Sequence, residues 1–150
     1  MAAHRVGRVA LMSIHPQYAA GILDGTKRVE FRKRPIAVDV THVVVYATAP
    51  VSAVVGAFTV VGQHTLPPRM LWQQFKEVAG IGRDDFMAYY SGRRAGTGIA
   101  VGGVFHAEAP IGLWEDLGIA RPPQSFQYLA SDIATQILEA LSPGSVRAYA

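Results

Sequence analysis

Alternation of hydrophobic and polar residues, interrupted by stretches with helical spacing, predicts strands separated by short helices along this 150-residue chain. The predicted strands are 6–14, 26–34, 42–48, 51–61 and 96–106. The predicted helices are 16–23, 83–91, 132–141 and one opened by Pro67 and Pro68. Gly56 lies where a long strand would bend or bulge, and such curvature closes a small sheet into a barrel. The pattern therefore predicts an α+β fold: a small mixed β-barrel of about five or six strands, with short helices covering the barrel ends.

The last third of the chain has a weaker pattern. Residues 108–117 are predicted to be irregular and to pack across a barrel end through Ile111, Leu113 and Trp114. Pro143 and Gly144 are predicted to end the last helix.

One segment carries most of the chemistry. Five of the 14 basic residues lie within the eight positions 27–34. Asp24 and Gly25 predict the end of the preceding helix, because glycine adopts the left-handed C-terminal conformation without a Cβ penalty. A strand starting at about Thr26 would have a period of two. One face would then present Arg28, Glu30, Arg32 and Arg34, and the other Lys27, Val29, Phe31 and Lys33.

Two interpretations of this charged face remain open. Lysine and arginine are common on solvated edge strands, where they prevent pairing with another chain. Alternatively, Glu30 is flanked on its own face by Arg28 and Arg32, and a carboxylate holds a guanidinium in the orientation used to grip phosphate. The second interpretation predicts a site built for an anion.

The spacing Gly25-x-Lys27-x-x-Glu30-x-Arg32 resembles the G-x-K-x-x-E-x-R signature of ASCH domains, the activating signal cointegrator homology group. Residues 11–19 are similar to the opening strand and short helix of that family, and residues 122–129 to a late motif of some bacterial members. The resemblance covers most of the chain and implies a PUA-like β-barrel, with residues 1–150 forming a single domain. It also implies that a cleft beside the motif binds RNA or a modified base.

Composition narrows the classes of partner. The formal net charge is +3 and the isoelectric point is about 9.4, which favours an anionic partner.

The absence of cysteine excludes disulfides, zinc thiolate sites and cysteine nucleophiles. The five histidines are dispersed, so we expect no metal site. No cofactor is expected either. No long apolar run is present, which predicts a cytoplasmic protein without membrane contact. The sequence does not indicate an oligomeric state.

As a binding module, the domain would hold RNA or another anionic nucleotide ligand. Lys27, Arg32 and Arg34 would contact phosphates while Glu30 orients them, and Arg28 would be peripheral. Further contacts are expected from an aromatic residue beside the motif, from basic residues after the third helix and from the late motif: Tyr18, Arg93, Arg94, Gln124 and Ser125. The arginines at 93 and 94 also suit the C-terminal end of a helix dipole.

As an enzyme, the domain would be a small hydrolase. Some ASCH proteins are amidohydrolases that deacetylate a modified cytidine, and others cleave RNA. Lys27 matches the amidohydrolase lysine, but Glu30 stands where that pattern has its threonine nucleophile, and strand geometry would point the hydroxyl of Thr26 away from Lys27. For RNA cleavage, Lys27 and Arg32 would stabilise the developing charge, assisted by Glu30, His15 or Ser125.

Two further possibilities stay open. His15 suits capping or packing at the first helix better than catalysis. The basic face would also suit a protein carboxylate or a small anionic metabolite.

Overall fold

The computed structural model describes residues 5–142. Its strands are β1 (Arg8–Ile14), β2 (Val29–Arg32), β3 (Val40–Ala47), β4 (Ala53–Leu66), β5 (Gly96–Ile111), β6 (Phe126–Tyr128) and β7 (Leu141–Ser142). Its α-helices are α1 (Pro16–Asp24), α2 (Pro68–Phe75), α3 (Arg83–Tyr89), α4 (Leu113–Leu117) and α5 (Ser131–Ala140). A 3₁₀ turn, Lys76–Val78, follows α2.

The strands form a mixed sheet that curls into a half-barrel, in the order β2-β5-β4-β3-β1-β6, with β7 paired to β5. The pair β1–β3 is parallel and the other pairs are antiparallel. The predicted α+β class is confirmed, with seven strands among residues 5–142 where five or six were expected. The parallel pair brings the carboxyl ends of β1 and β3 to the same edge of the sheet.

Gly56 occupies an irregularity in β4, as predicted. The register against β5 shifts between Val54 and Gly56. A Cβ on Gly56 would collide with the carbonyl oxygen of Phe105 and with a methyl group of Leu23. Glycine is therefore required where the two longest strands, β4 and β5, approach each other closely and the sheet bends.

Three hydrophobic clusters hold the elements together. One packs α1 against the sheet around Met12, Val45 and Phe58. A second packs α4 and α5 around Leu11, Val44 and Ile137. The third joins β2 to α2 and α3 through the aromatic residues Phe31, Phe75, Phe86 and Tyr90. This aromatic cluster fixes the position of the basic segment relative to α3.

The first helix follows its sequence signals. Pro16 lies in its first turn, and Gly25 ends it in the left-handed conformation, with φ of 90°. The next strand, however, begins at Val29 and not at about Thr26. The backbone N–H of Thr26 donates to Asp24 Oδ1 (2.9 Å), and that of Lys27 donates to the carbonyl of Gly21 (3.0 Å). These bonds keep residues 25–27 in a turn, outside the β ladder.

The prediction that residues 108–117 are irregular was wrong, although Ile111 and Leu113 pack into a hydrophobic cluster as expected. Strand β5 continues to Ile111, and α4 follows it. Leu113 is buried, but the side chain of Trp114 is exposed (65%). In the last helix, Ile137 is buried as the apolar pattern requires, and the helix ends at Ala140. Pro143 and Gly144, which were expected to end it, lie outside the described residues.

The helices are short. The longest among residues 5–142, α5, has ten residues. None in that range is long and apolar enough to cross a membrane.

Candidate functional site

An open cleft of about 1340 Å³ lies beside the basic segment. One wall is formed by the end of β1 and the start of α1, and another by residues 48–50 after β3. Strand β2 and the residues after it form the floor and rim, and α3 and residues 124–126 complete the enclosure. The cleft therefore joins segments that are far apart in the chain.

Lys27 lies at the bottom of this cleft and is almost completely buried. Its Nζ donates to the carbonyl of Ala79 (2.7 Å) and lies 5.2 Å from the ring centre of Tyr18 and 5.0 Å from that of Phe31. Burial lowers the pKa of Lys27 from its ordinary value, and the negative charge of Glu30 opposes that shift. The carbonyl and the two ring faces stabilise the charged ammonium.

Lys27 and Glu30 line the same cleft, which the strand period did not predict. The expectation of opposite faces assumed that Lys27 belongs to the strand. Because β2 begins only at Val29, the alternation does not extend to Lys27, and the turn at residues 25–27 directs its side chain into the cleft.

Glu30 and Arg32 form an ion pair, with 3.1 Å between Glu30 Oε2 and Arg32 Nη1. Their side chains are only 8% and 13% exposed. Arg32 Nη1 also donates to the carbonyl of Ser13, and Nη2 donates to Ser125 Oγ. β2 is an edge strand of the sheet, but the side chains of Glu30 and Arg32 are largely buried. The interpretation of this face as the solvated side of an edge strand was therefore wrong for these two residues. The carboxylate and hydroxyl hold the guanidinium in one orientation.

The late segment is attached to β1. The N–H of Ser13 donates to the carbonyl of Ser125 (3.0 Å), and Ser13 Oγ donates to the carbonyl of Pro123 (2.6 Å). Gln124 and Ser125 consequently line the cleft. The side chain of Ser125 thus meets a guanidinium that is 93 residues away in sequence.

The end of α3 separates the two adjacent arginines that were predicted to bind. Arg93 lines the cleft and donates to the carbonyl of Lys33 (3.2 Å). Arg94 is exposed and is not part of the cleft lining. The ring of Tyr89 lines the cleft beneath the ammonium of Lys33 (4.9 Å), and burial raises the pKa of Tyr89.

Two cationic residues near the cleft differ in exposure and role. Arg34 lines the exposed rim. Arg28 donates to the carbonyl of Val101 (3.4 Å) and does not line the cleft.

Two aromatic side chains stand at the cleft mouth. Tyr18 is half-buried and lines the cleft. The ring of His15 packs edge-on against the ring of Tyr18, with 6.2 Å between the ring centres. His15 is the residue before α1, but its side chain makes no capping hydrogen bond. Of the two structural roles expected for His15, the structure therefore has the packing contact and not the cap.

Thr26 is directed away from the cleft. Its hydroxyl donates to Asp24 Oδ1 (2.7 Å), and the residue does not contribute to the cleft lining. It therefore offers no hydroxyl beside the ammonium of Lys27.

Sequence reasoning missed the loop that joins α2 to α3. Ala79 supplies the carbonyl that binds Lys27, and Ile81 lines the cleft. Asp85, on α3, lines it as well. The glycines at positions 80 and 82, on either side of Ile81, were the available signal for a loop that approaches another part of the chain closely.

Among residues 5–142, no three His, Asp or Glu side chains come together in a group that could hold a metal ion.

The half-barrel with its helical covers and basic cleft defines a small α+β protein class, and comparison identifies the family. The ASCH domain model matches residues 12–111, so the chain belongs to the ASCH domain family. The chain is 28% identical over 137 residues to an ASCH domain-containing ribonuclease of Zymomonas mobilis subsp. mobilis, with 89% of this chain and 91% of that protein covered.

Solved structures of a Zymomonas mobilis ASCH protein have the same fold. A crystal structure of ASCH from that organism matches with a TM-score of 0.80 and 25% identity, covering 89% of this chain and 96% of the other. A serine-to-alanine variant matches with a TM-score of 0.79 and 26% identity, with the same coverage of both chains.

Proposed function

We propose that this protein binds single-stranded RNA in the cleft and cleaves it there. The observation that carries the proposal is the convergence of the Lys27 ammonium, the Arg32 guanidinium and the Ser125 hydroxyl on one cleft. The similarity to a ribonuclease over nine-tenths of that relative's length supports it.

The shape and lining of the cleft favour a nucleic-acid strand. Pockets for single small molecules are commonly about 300–1,000 Å³, and this cleft, at about 1340 Å³, has room for more than one nucleotide. Arg34 and Arg93 stand on its rim, where they would meet phosphates, and the rings of Tyr18 and Tyr89 offer faces for bases. Unstacked bases and exposed phosphates are features of single strands.

The chemistry would rest on charge stabilisation. When an oxygen nucleophile attacks a phosphodiester, negative charge builds on the non-bridging oxygens of phosphorus. Lys27 and Arg32 are held in position before substrate arrives, by Ala79 and by Glu30 respectively, so they need no reorganisation during the reaction. Because Arg32 donates to Ser125 Oγ, the proton of that hydroxyl must point away from Arg32, and it would be available to a substrate oxygen.

The amidohydrolase alternative has less support. Glu30, which stands where that pattern has a threonine nucleophile, is engaged by Arg32. The hydroxyl of Thr26 is engaged by Asp24 outside the cleft. No hydroxyl nucleophile therefore occupies the required place beside Lys27.

The test follows binding and cleavage of end-labelled single-stranded RNA in the same samples across a salt series. It compares the wild type with Lys27→Met and with Lys76→Met, which replaces an exposed lysine outside the cleft. We expect binding to weaken with salt, and cleavage to fall about 100-fold or more in Lys27→Met, while Lys76→Met behaves as wild type. Binding without product would leave an RNA-binding module, and RNA that is neither bound nor cut would refute the proposal.

A further inference from the structure

We propose that Gly80 is a positioning residue of the site: together with Gly21 it leaves the slot through which the Lys27 side chain reaches the cleft, and its loop supplies the carbonyl that holds the ammonium. This inference deepens the proposed function and rests on it for its catalytic meaning. Gly80 does not line the cleft, so its effect would be transmitted entirely through Lys27.

The slot is defined by the atoms that a Cβ added to Gly80 or Gly21 would contact. A Cβ on Gly80 would lie closer than 3.0 Å to Cβ, Cγ and Cδ of Lys27, a separation that real Cβ atoms do not show. A Cβ on Gly21, on α1, would lie 3.2 Å from Lys27 Cβ. The aliphatic part of the lysine therefore passes between two backbones that lack side chains.

The collision at Gly80 cannot be relieved by the lysine alone. Lys27 Cβ is fixed by its own backbone, which is tied to Gly21 through the Lys27 N–H (3.0 Å) and, one residue on, to the loop by the Arg28 N–H donating to the carbonyl of Val78 (2.8 Å). An added methyl group would consequently displace residues 79–81. That displacement would move the carbonyl of Ala79 away from Lys27 Nζ.

Backbone strain has to be separated from this effect, because Gly80 has φ of +61°, a conformation that L residues rarely adopt. Gly92 has φ of +76°, and nothing lies within 4 Å of a Cβ added there. Gly92→Ala is therefore a matched control. It carries the same kind of backbone penalty without touching Lys27.

The experiment reads Lys27 directly, without RNA. The chain has only three lysines, Lys27, Lys33 and Lys76, so [¹³C]lysine labelling gives three side-chain NMR signals, and loss of a signal in Lys27→Met assigns it. We expect Gly80→Ala to shift the Lys27 signal and to move its titration towards that of an ordinary lysine, because the ammonium leaves its buried position. We expect Gly92→Ala to leave both unchanged, and Gly21→Ala to produce a smaller shift of the same signal.

Identical Lys27 titrations in wild type and Gly80→Ala would overturn the inference. If Gly80→Ala does not fold while Gly92→Ala does, Gly21→Ala decides: an unchanged Lys27 signal there overturns it equally.

RNA cleavage by the same variants separates the inference from the proposed function. We expect Gly80→Ala to lower kcat at least tenfold with little change in KM, and to move the pH profile with the Lys27 titration. A shifted Lys27 signal in a protein whose wild type cuts no RNA would leave the positioning role intact and refute the ribonuclease.

Discussion

Lys27 is buried as deeply as the core of the sheet, yet it carries an amine at the bottom of an open cleft. A charged group removed from water destabilises a fold unless its partners compensate. Here those partners are one carbonyl and two ring faces, with the carboxylate of Glu30 nearby. Lys27 therefore has a position that stability alone does not favour, as expected of a functional residue.

Replacement of Lys27 should show this cost. Because burial lowers the Lys27 pKa below its value in the unfolded chain, the penalty is complete below the folded-state pKa and disappears as the pH rises towards about 10.5. We expect Lys27→Met to be as stable as wild type at pH 7, or more stable by up to about 2 kcal/mol. The difference should shrink in urea unfolding at pH 10, and a difference that grows with pH would contradict this assignment. Lys76→Met serves as the control.

The pH dependence of cleavage should also report the titration of Lys27. Here, loss of the positive charge is unfavourable, whereas for stability it removes a penalty. If the charged ammonium stabilises the scissile phosphate, activity is lost as the pH rises through the lowered pKa of Lys27. We expect the single-turnover rate to fall with rising pH, and the fall should begin at a lower pH than that at which an ordinary lysine titrates. A rate that rises through that range would instead make Lys27 a base.

Besides Lys27, Arg32 is held by contacts that depend on the shape of its side chain. Its guanidinium contacts Glu30, Ser13 and Ser125 at once, which a lysine ammonium on a flexible stem does not reproduce. We expect Arg32→Lys to lower the single-turnover cleavage rate by about 10- to 100-fold, equivalent to about 1.4–2.7 kcal/mol, which is the range for a charged hydrogen bond. Arg69→Lys, an exposed change on α2 outside the cleft, should be silent. Equal rates in the two variants would remove Arg32 from the mechanism.

At the scale of elements, the turn after α3 (Arg83–Tyr89) determines which of two adjacent arginines lines the cleft. Arg93 lines the cleft and Arg94 does not. We expect Arg93→Ala to weaken RNA binding about threefold to tenfold and to reduce the salt slope by about 1, as for loss of one phosphate contact. Arg94→Ala should change neither value in fluorescence anisotropy titrations. The reverse ranking would place the RNA path on the other side of α3.

The elements also explain where sequence reasoning succeeded. Gly25 ended α1 as predicted, because a left-handed glycine is a local signal. The start of β2 was misplaced by about three residues, since the bonds from Thr26 to Asp24 and from Lys27 to Gly21 compete with the ladder. Local signals therefore located the motif, but the direction of Lys27 depended on the turn geometry.

At the scale of the whole molecule, the fold was predictable in class and the cleft only in part. Alternating hydrophobicity identifies strands, and from it a small mixed β-barrel was predicted, which corresponds to the observed mixed half-barrel. The contacts that build the site span 52 residues between Lys27 and Ala79 and 93 between Arg32 and Ser125. No local pattern encodes such distances: the glycines at positions 80 and 82 could indicate a loop, but not that this loop contacts Lys27.

The most direct test of the cleft as the RNA site is chemical-shift mapping with a short 2′-O-methyl RNA strand, whose blocked 2′ oxygens cannot attack the phosphodiester. Trp114, exposed on α4 and not part of the cleft lining, provides a remote indole reporter. We predict saturable shifts of the backbone amides of Tyr89, Arg93 and Ser125, with the Trp114 indole signal unchanged. Shifts that cluster around Trp114 and α5, or cleft amides that remain unmoved at saturating RNA, would contradict the assignment of the cleft.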